Sequence, residues 1–158
     1  MNRKIILAAA LAAMSFSAIQ AQAQTQRSIL DGVYTDAQAT RGAQQYATRC
    51  LVCHGAALEG NTLAPPLTGR FIADWAGMTL GDLFDNIALT MPLYRPGSLE
   101  RSVNADILAY ILKVNAYPSG SQELSAEPEA LKAIRFDAWP IGGGARDSLS
   151  GARIPGPR

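Results

Sequence analysis

The chain has 158 residues, with 14 Lys and Arg, 13 Asp and Glu, and a formal net charge of +1 at neutral pH. That is enough chain for one domain, and its charge balance argues against nucleic acid or a strongly charged membrane surface as partner. Two cysteines are too few for a disulfide framework, and with a single histidine they fall short of the four ligands of structural zinc.

The first residues read as a signal peptide. Asn2-Arg3-Lys4 is a basic n-region, residues 5–19 are mostly apolar, and Ala21-Gln22-Ala23 is an A-x-A cleavage site. Residues 1–23 are therefore expected to direct export, and the protein is expected to be periplasmic. The apolar run is short for a membrane span, and none remains after the signal is removed. Residues 24–32 form a polar lead-in. Thr35 with Gln38 three residues on is a capping-box pattern. Ala39, Ala43, Tyr46, Ala47 and Cys50 follow at helical spacing, which predicts a helix from about residue 36.

Gly55, Gly60, Pro65, Pro66 and Gly69 mark residues 55–72 as a loop. Thr79 is the expected N-cap of the next helix, whose apolar face is Leu80, Leu83, Phe84 and Ile87. Pro92 ends it and turns Met91 out of helical geometry. The strongest helical pattern covers 101–115. Ile107, Tyr110, Ile111 and Val114, flanked by Leu108 and Leu112, make a face broad enough for a second helix and a cofactor. Residues 118–158 read as a partly disordered tail, with a short amphipathic piece at 127–134. After Pro140 the tail is rich in Gly, Ser, Arg and Pro, and Trp139 is expected to dock on something apolar.

Cys50-Leu51-Val52-Cys53-His54 contains both cysteines and the only histidine. C-x-x-C-H is the spacing of covalent haem attachment. Residues three and four apart on a helical turn share a face. Both thiols can then meet the two haem vinyl groups, while the imidazole reaches the iron as proximal ligand. Other readings fit less well. A thioredoxin-like dithiol belongs at a strand-to-helix junction, and nothing upstream of Cys50 reads as a strand. A plain disulfide would leave His54 as a coincidence. With no second histidine, a methionine is the expected sixth ligand, which raises the reduction potential. Beyond the leader only Met78 and Met91 remain. Met91 lies in a loop between helices and is the expected ligand; Met78, near a helix start, reads as packing.

The segments Gly42-Ala43-Gln44-Gln45-Tyr46, Cys50 to Gly55, Pro65-Pro66-Leu67-Thr68-Gly69, Met91-Pro92 and Asp106 to Leu112 stand in the order found in class I c-type cytochromes, which this chain resembles over about residues 33–117. Met91-Pro92-Leu93-Tyr94-Arg95-Pro96-Gly97-Ser98-Leu99 is similar to cytochromes that accompany quinoprotein alcohol dehydrogenases and related oxidases. The resemblance implies an all-α cytochrome c fold, three to five short helices around one covalently bound haem c. It implies an electron carrier and not an enzyme. Its partners would be a dehydrogenase donor, an oxidase acceptor or both, and the chain would be a free carrier or a bound subunit.

The resemblance also implies residue roles. Gly42 lets the first helix approach the last near Tyr110, and Tyr46 joins that contact. Pro65, by its spacing to Leu67, or else Pro66, offers a carbonyl to the proximal imidazole N–H. Trp75 either hydrogen-bonds a haem propionate or is a core aromatic. Arg70, Tyr94 and Arg95 are further propionate candidates. The haem-free chain is expected to be poorly folded. Should Met91 not bind iron, the open position would instead suit a small haem enzyme or a gas sensor.

Overall fold

The computed structural model describes residues 26–138. The proposed signal peptide, Trp139 and the Gly/Arg-rich end lie outside the described residues. A short strand β1 (Arg27–Ser28) and a single 3-10 turn (Ile29–Asp31) lead into helix α1 (Asp36–Arg49). Then come α2 (Leu51–His54), α3 (Arg70–Trp75), α4 (Leu80–Thr90), α5 (Arg101–Val114), α6 (Pro128–Lys132) and strand β2 (Ile134–Arg135). The architecture is the all-α cytochrome c fold, with β1 and β2 adding a two-residue parallel pair, Arg27 opposite Ile134. The described residues hold six short α-helices, against the three to five expected.

Helix α1 starts where Thr35 Oγ1 accepts the backbone N–H of Gln38 at 3.1 Å. The expected capping box does not close. The Gln38 side chain turns inward, donating to the Leu124 carbonyl at 2.9 Å and accepting the Leu124 N–H at 2.7 Å. A buried reciprocal pair with a distant backbone outweighs a local bond that water could replace. Helix α1 packs mainly on α5, and Gly42 makes this possible. A Cβ at Gly42 would lie 1.8 Å from the Asp106 carbonyl oxygen, so only a hydrogen fits there. Next to it the Tyr46 and Tyr110 rings meet at 5.2 Å, and Arg41 forks between Asp106 and Glu123.

Helix α4 has the capping box at its start: Asp82 N–H to Thr79 Oγ1 and Thr79 N–H to Asp82. It ends at Met91, which is extended, φ −116° and ψ 155°. Residues 70–72, expected as the end of the loop, form α3 together with 73–75, ahead of the helix start expected at 79. Six residues are under two turns, too few for a period to stand out in sequence.

Packing continues past the 33–117 boundary on both sides. Ile29 from the lead-in is fully buried, as are Leu131 and Phe136 from the segment after residue 117. Gly32 and Gly120 touch backbone to backbone, and the Gly120 N–H donates to the Tyr34 carbonyl at 2.6 Å. Tyr34 Oη donates to the Tyr117 carbonyl at 2.6 Å. The Phe136 N–H reaches the Met78 carbonyl, and Arg101 Nε reaches the Ala126 carbonyl, each at 2.8 Å.

The apolar interior divides in two. A large cluster joins Ile29, Leu80, Leu83, Phe84, Leu108, Leu112, Leu131 and Phe136. A small one holds Tyr46, Leu58, Ile107 and Ile111. Helix α5 serves both, through Leu108 and Leu112 on one side and Ile107 and Ile111 on the other.

Candidate haem site

Tyr46, Ile107 and Ile111 of the small cluster line a cleft of about 520 Å³, inside the range usual for cofactor sites. Cys50, Cys53 and His54 line it with Arg49 and Tyr46, and so do Ile87 from α4 and Met91, Pro92, Leu93 and Tyr94 from the turn that follows it. Leu63, Ala64, Pro65, Leu67 and Phe71 come from the loop and α3, and Ile107 and Ile111 from α5.

The attachment motif sits at a break. Helix α1 stops at Cys50, with φ −122°, and one further turn, α2, carries the chain to His54. The N–H groups of Cys53 and His54 both bond the Cys50 carbonyl, at 3.1 and 2.9 Å. That turn brings both thiols and the imidazole to the cleft. Gly55 follows with φ 80°, and its carbonyl accepts Tyr46 Oη at 2.7 Å. The cysteines are unbridged and half-buried. Burial pushes the Cys50 thiol up to about 11, against the pull of Arg49 and with a small push from Cys53. The thiol therefore stays protonated at neutral pH. Burial likewise raises the Tyr46 hydroxyl, keeping it a donor.

His54 is 7% exposed, and its Nδ1 lies 3.0 Å from the Pro65 carbonyl oxygen. A carbonyl only accepts, so Nδ1 carries the proton and Nε2 keeps its lone pair for another partner. Of the two adjacent prolines, Pro65 makes this bond. Leu67 is pinned at both ends, its N–H to Leu58 O at 2.9 Å and its carbonyl to Asn115 Nδ2 at 3.0 Å.

Met91 lines the cleft; Met78 does not and is 43% exposed. Trp75 does not line the cleft either. Its ring meets Phe71 edge-on at 6.3 Å and packs on the large cluster, where a core aromatic belongs. Tyr94 lines the cleft, whereas Arg70 pairs with Asp74 at 3.5 Å on the surface and Arg95 is exposed. Arg49 and Asn86 also line it, and sequence reasoning missed both. Arg49 could have been found from its place beside Cys50, and Asn86 from its place beside Ile87 on α4.

The donor set fits an iron porphyrin. An apolar slot is lined by two free thiols, an imidazole with one nitrogen uncommitted and a residue with a soft thioether sulfur. Fold and site together fit a c-type cytochrome domain with one covalently attached haem c. Residues 37–111 match the family model described as cytochrome c oxidase, cbb3-type, subunit III. No curated protein and no solved structure matched the chain.

Proposed function

We propose that this protein is a periplasmic monohaem cytochrome that passes single electrons between redox proteins, with His54 and Met91 as the axial ligands. The observation that carries the reading is the shared cleft. Cys50, Cys53, His54 and Met91 come from two separate parts of the chain and line one apolar slot.

When bound, the haem supplies an iron that cycles between ferrous and ferric states. The chain does the rest. Cys50 and Cys53 would hold the porphyrin as thioethers. His54 offers Nε2, oriented by the Pro65 carbonyl, which also raises its basicity. Met91, held extended at the end of α4, offers a sulfur that favours the reduced state. Ile87, Ile107 and Ile111 keep the slot apolar, and burial of this kind is one of the levers on reduction potential. With His54 and Met91 both committed to the iron, no position would remain for chemistry on a small molecule, which favours a carrier over an enzyme.

Export is supported by the signal-like residues 1–23, because covalent haem is attached outside the cytoplasm. No helix among the described residues is long and apolar enough to cross a membrane. The partners we propose are a dehydrogenase donor, of the quinoprotein type that the sequence around Met91 resembles, and an oxidase acceptor.

Replacing Met91 with Ala tests the reading. The variant is expected to lose the sulfur-to-iron band, lower its reduction potential and begin to bind carbon monoxide. A wild type that already binds carbon monoxide, and a variant that scarcely differs from it, would return the protein to the open-site class of haem enzymes and gas sensors.

A further inference from the structure

Asn115, at the end of α5, reaches back to the loop that orients His54. Its Nδ2 donates to the Leu67 carbonyl at 3.0 Å and to the Ile111 carbonyl at 2.8 Å. The Leu67 N–H is held by the Leu58 carbonyl at 2.9 Å. Leu67 stands two residues after Pro65, so both of its backbone polar groups are fixed next to the carbonyl that accepts the His54 proton.

The other end of this clamp is strained. Leu58 has φ 61°, unusual for a branched residue, and is fully buried beside Tyr46, Ile107 and Ile111. A bulky residue keeps such a backbone only where its surroundings over-determine it, and such positions gather at functional sites. Here the strained turn presents the carbonyl that Leu67 needs.

We infer that Asn115 is a positioning residue for the proximal ligand: by holding Leu67 against α5 it sets the Pro65 carbonyl on His54 Nδ1, and so tunes the electron donation of the imidazole to iron. The inference rests on His54 as the axial ligand. A well-placed carbonyl gives the imidazole more anionic character, which stabilises the ferric state. Slackening the clamp weakens that bond and raises the reduction potential.

The test uses the full haem-loaded chain as wild type, Asn115→Asp and Asn115→Ala. The Asp variant keeps the shape and loses the donor; the Ala variant supplies the same comparison if the Asp protein does not accumulate. Arg41→Gln is the control, since Arg41 bonds Asp106 and Glu123 and lies outside the cleft lining. In the reduced protein, the His54 Nδ1–H resonance should move upfield in the Asn115 variants. Its exchange with solvent should quicken, and the reduction potential should rise. Arg41→Gln should lower the denaturation midpoint and leave all three unchanged. Asn115 variants that lose stability alone, with resonance and potential as in wild type, would overturn the inference and leave Asn115 a helix cap. A wild type that acquires no haem would overturn this inference and the proposed function together.

Discussion

The two hydrophobic clusters share helix α5 and differ in what closes them. The larger one is sealed by protein: Leu80, Leu83, Phe84, Leu108, Leu112, Leu131 and Phe136 all have no measurable exposure. The smaller one buries only Tyr46, Leu58, Ile107 and Ile111, and its other members, among them Cys50, Leu67, Phe71 and Ile87, are half-buried. One face of the domain is finished by side chains, and the other is a slot that a flat apolar ligand completes. The lead-in and the segment from 118 to 138 account for much of this difference. They add Ile29, Leu124, Leu131, Ile134 and Phe136 to the larger cluster and none of its members to the smaller. The expectation that the haem-free chain is poorly folded therefore narrows to the cleft.

The most drastic way to test this division is to take away both thiols. Cys50→Ala with Cys53→Ala is expected to abolish covalent haem altogether. The amides of α4 and of the Leu108–Leu112 face of α5 should keep slow hydrogen exchange, while those of 55–69 become fast. Uniform loss of protection would mean that the cores are not separable.

Phe136→Ala attacks the other side. Its ring is fully buried and lies 5.8 Å from that of Tyr117. Truncating such a residue costs about 3–5 kcal/mol. The denaturant midpoint should fall accordingly, and the haem spectrum of the folded protein should stay as in wild type.

Gln38→Ala is a smaller cut at the same seam. It strands the buried N–H and carbonyl of Leu124. We expect a loss of about 2 kcal/mol, mid-range for unpaired buried polar groups, read in the same titration.

The smallest effect is one of pH. Burial, and then the charge of Asp36, push the Tyr34 hydroxyl from 10.0 up to about 12. The unfolded chain therefore releases this proton first. Its contribution is fully present below pH 10 and is lost as pH rises towards 12. Unfolding followed across that window should show stability falling, and Tyr34→Phe should flatten part of the fall.

Much of this was legible in sequence because the signals were local. The Thr79 cap, the break at Met91-Pro92 and the apolar stripe of α5 each lie within one or two turns of chain. The attachment motif is local as well, and its spacing alone places three groups on one turn. What could not be read depended on distant partners. Gln38 looked like the second half of a capping box because its true partner, Leu124, is 86 residues away. The segment after 117 looked like tail because its apolar residues are sparse and pack on elements distant in the chain. Pro65 and Pro66 offer neighbouring carbonyls, and only the path of the loop over His54 separates them. Trp75 carried no local sign of which cluster it joins.

The central proposal is haem in the cleft with His54 and Met91 on its iron. An optical spectrum of the periplasmically expressed protein, oxidised and reduced and extended into the near infrared, tests this most directly. We expect a low-spin c-type spectrum with a weak sulfur-to-iron band in the oxidised form, unchanged by carbon monoxide when reduced. A high-spin spectrum that shifts with carbon monoxide would contradict the ligand pair, and no haem absorption after expression with an intact attachment system would contradict the central claim itself.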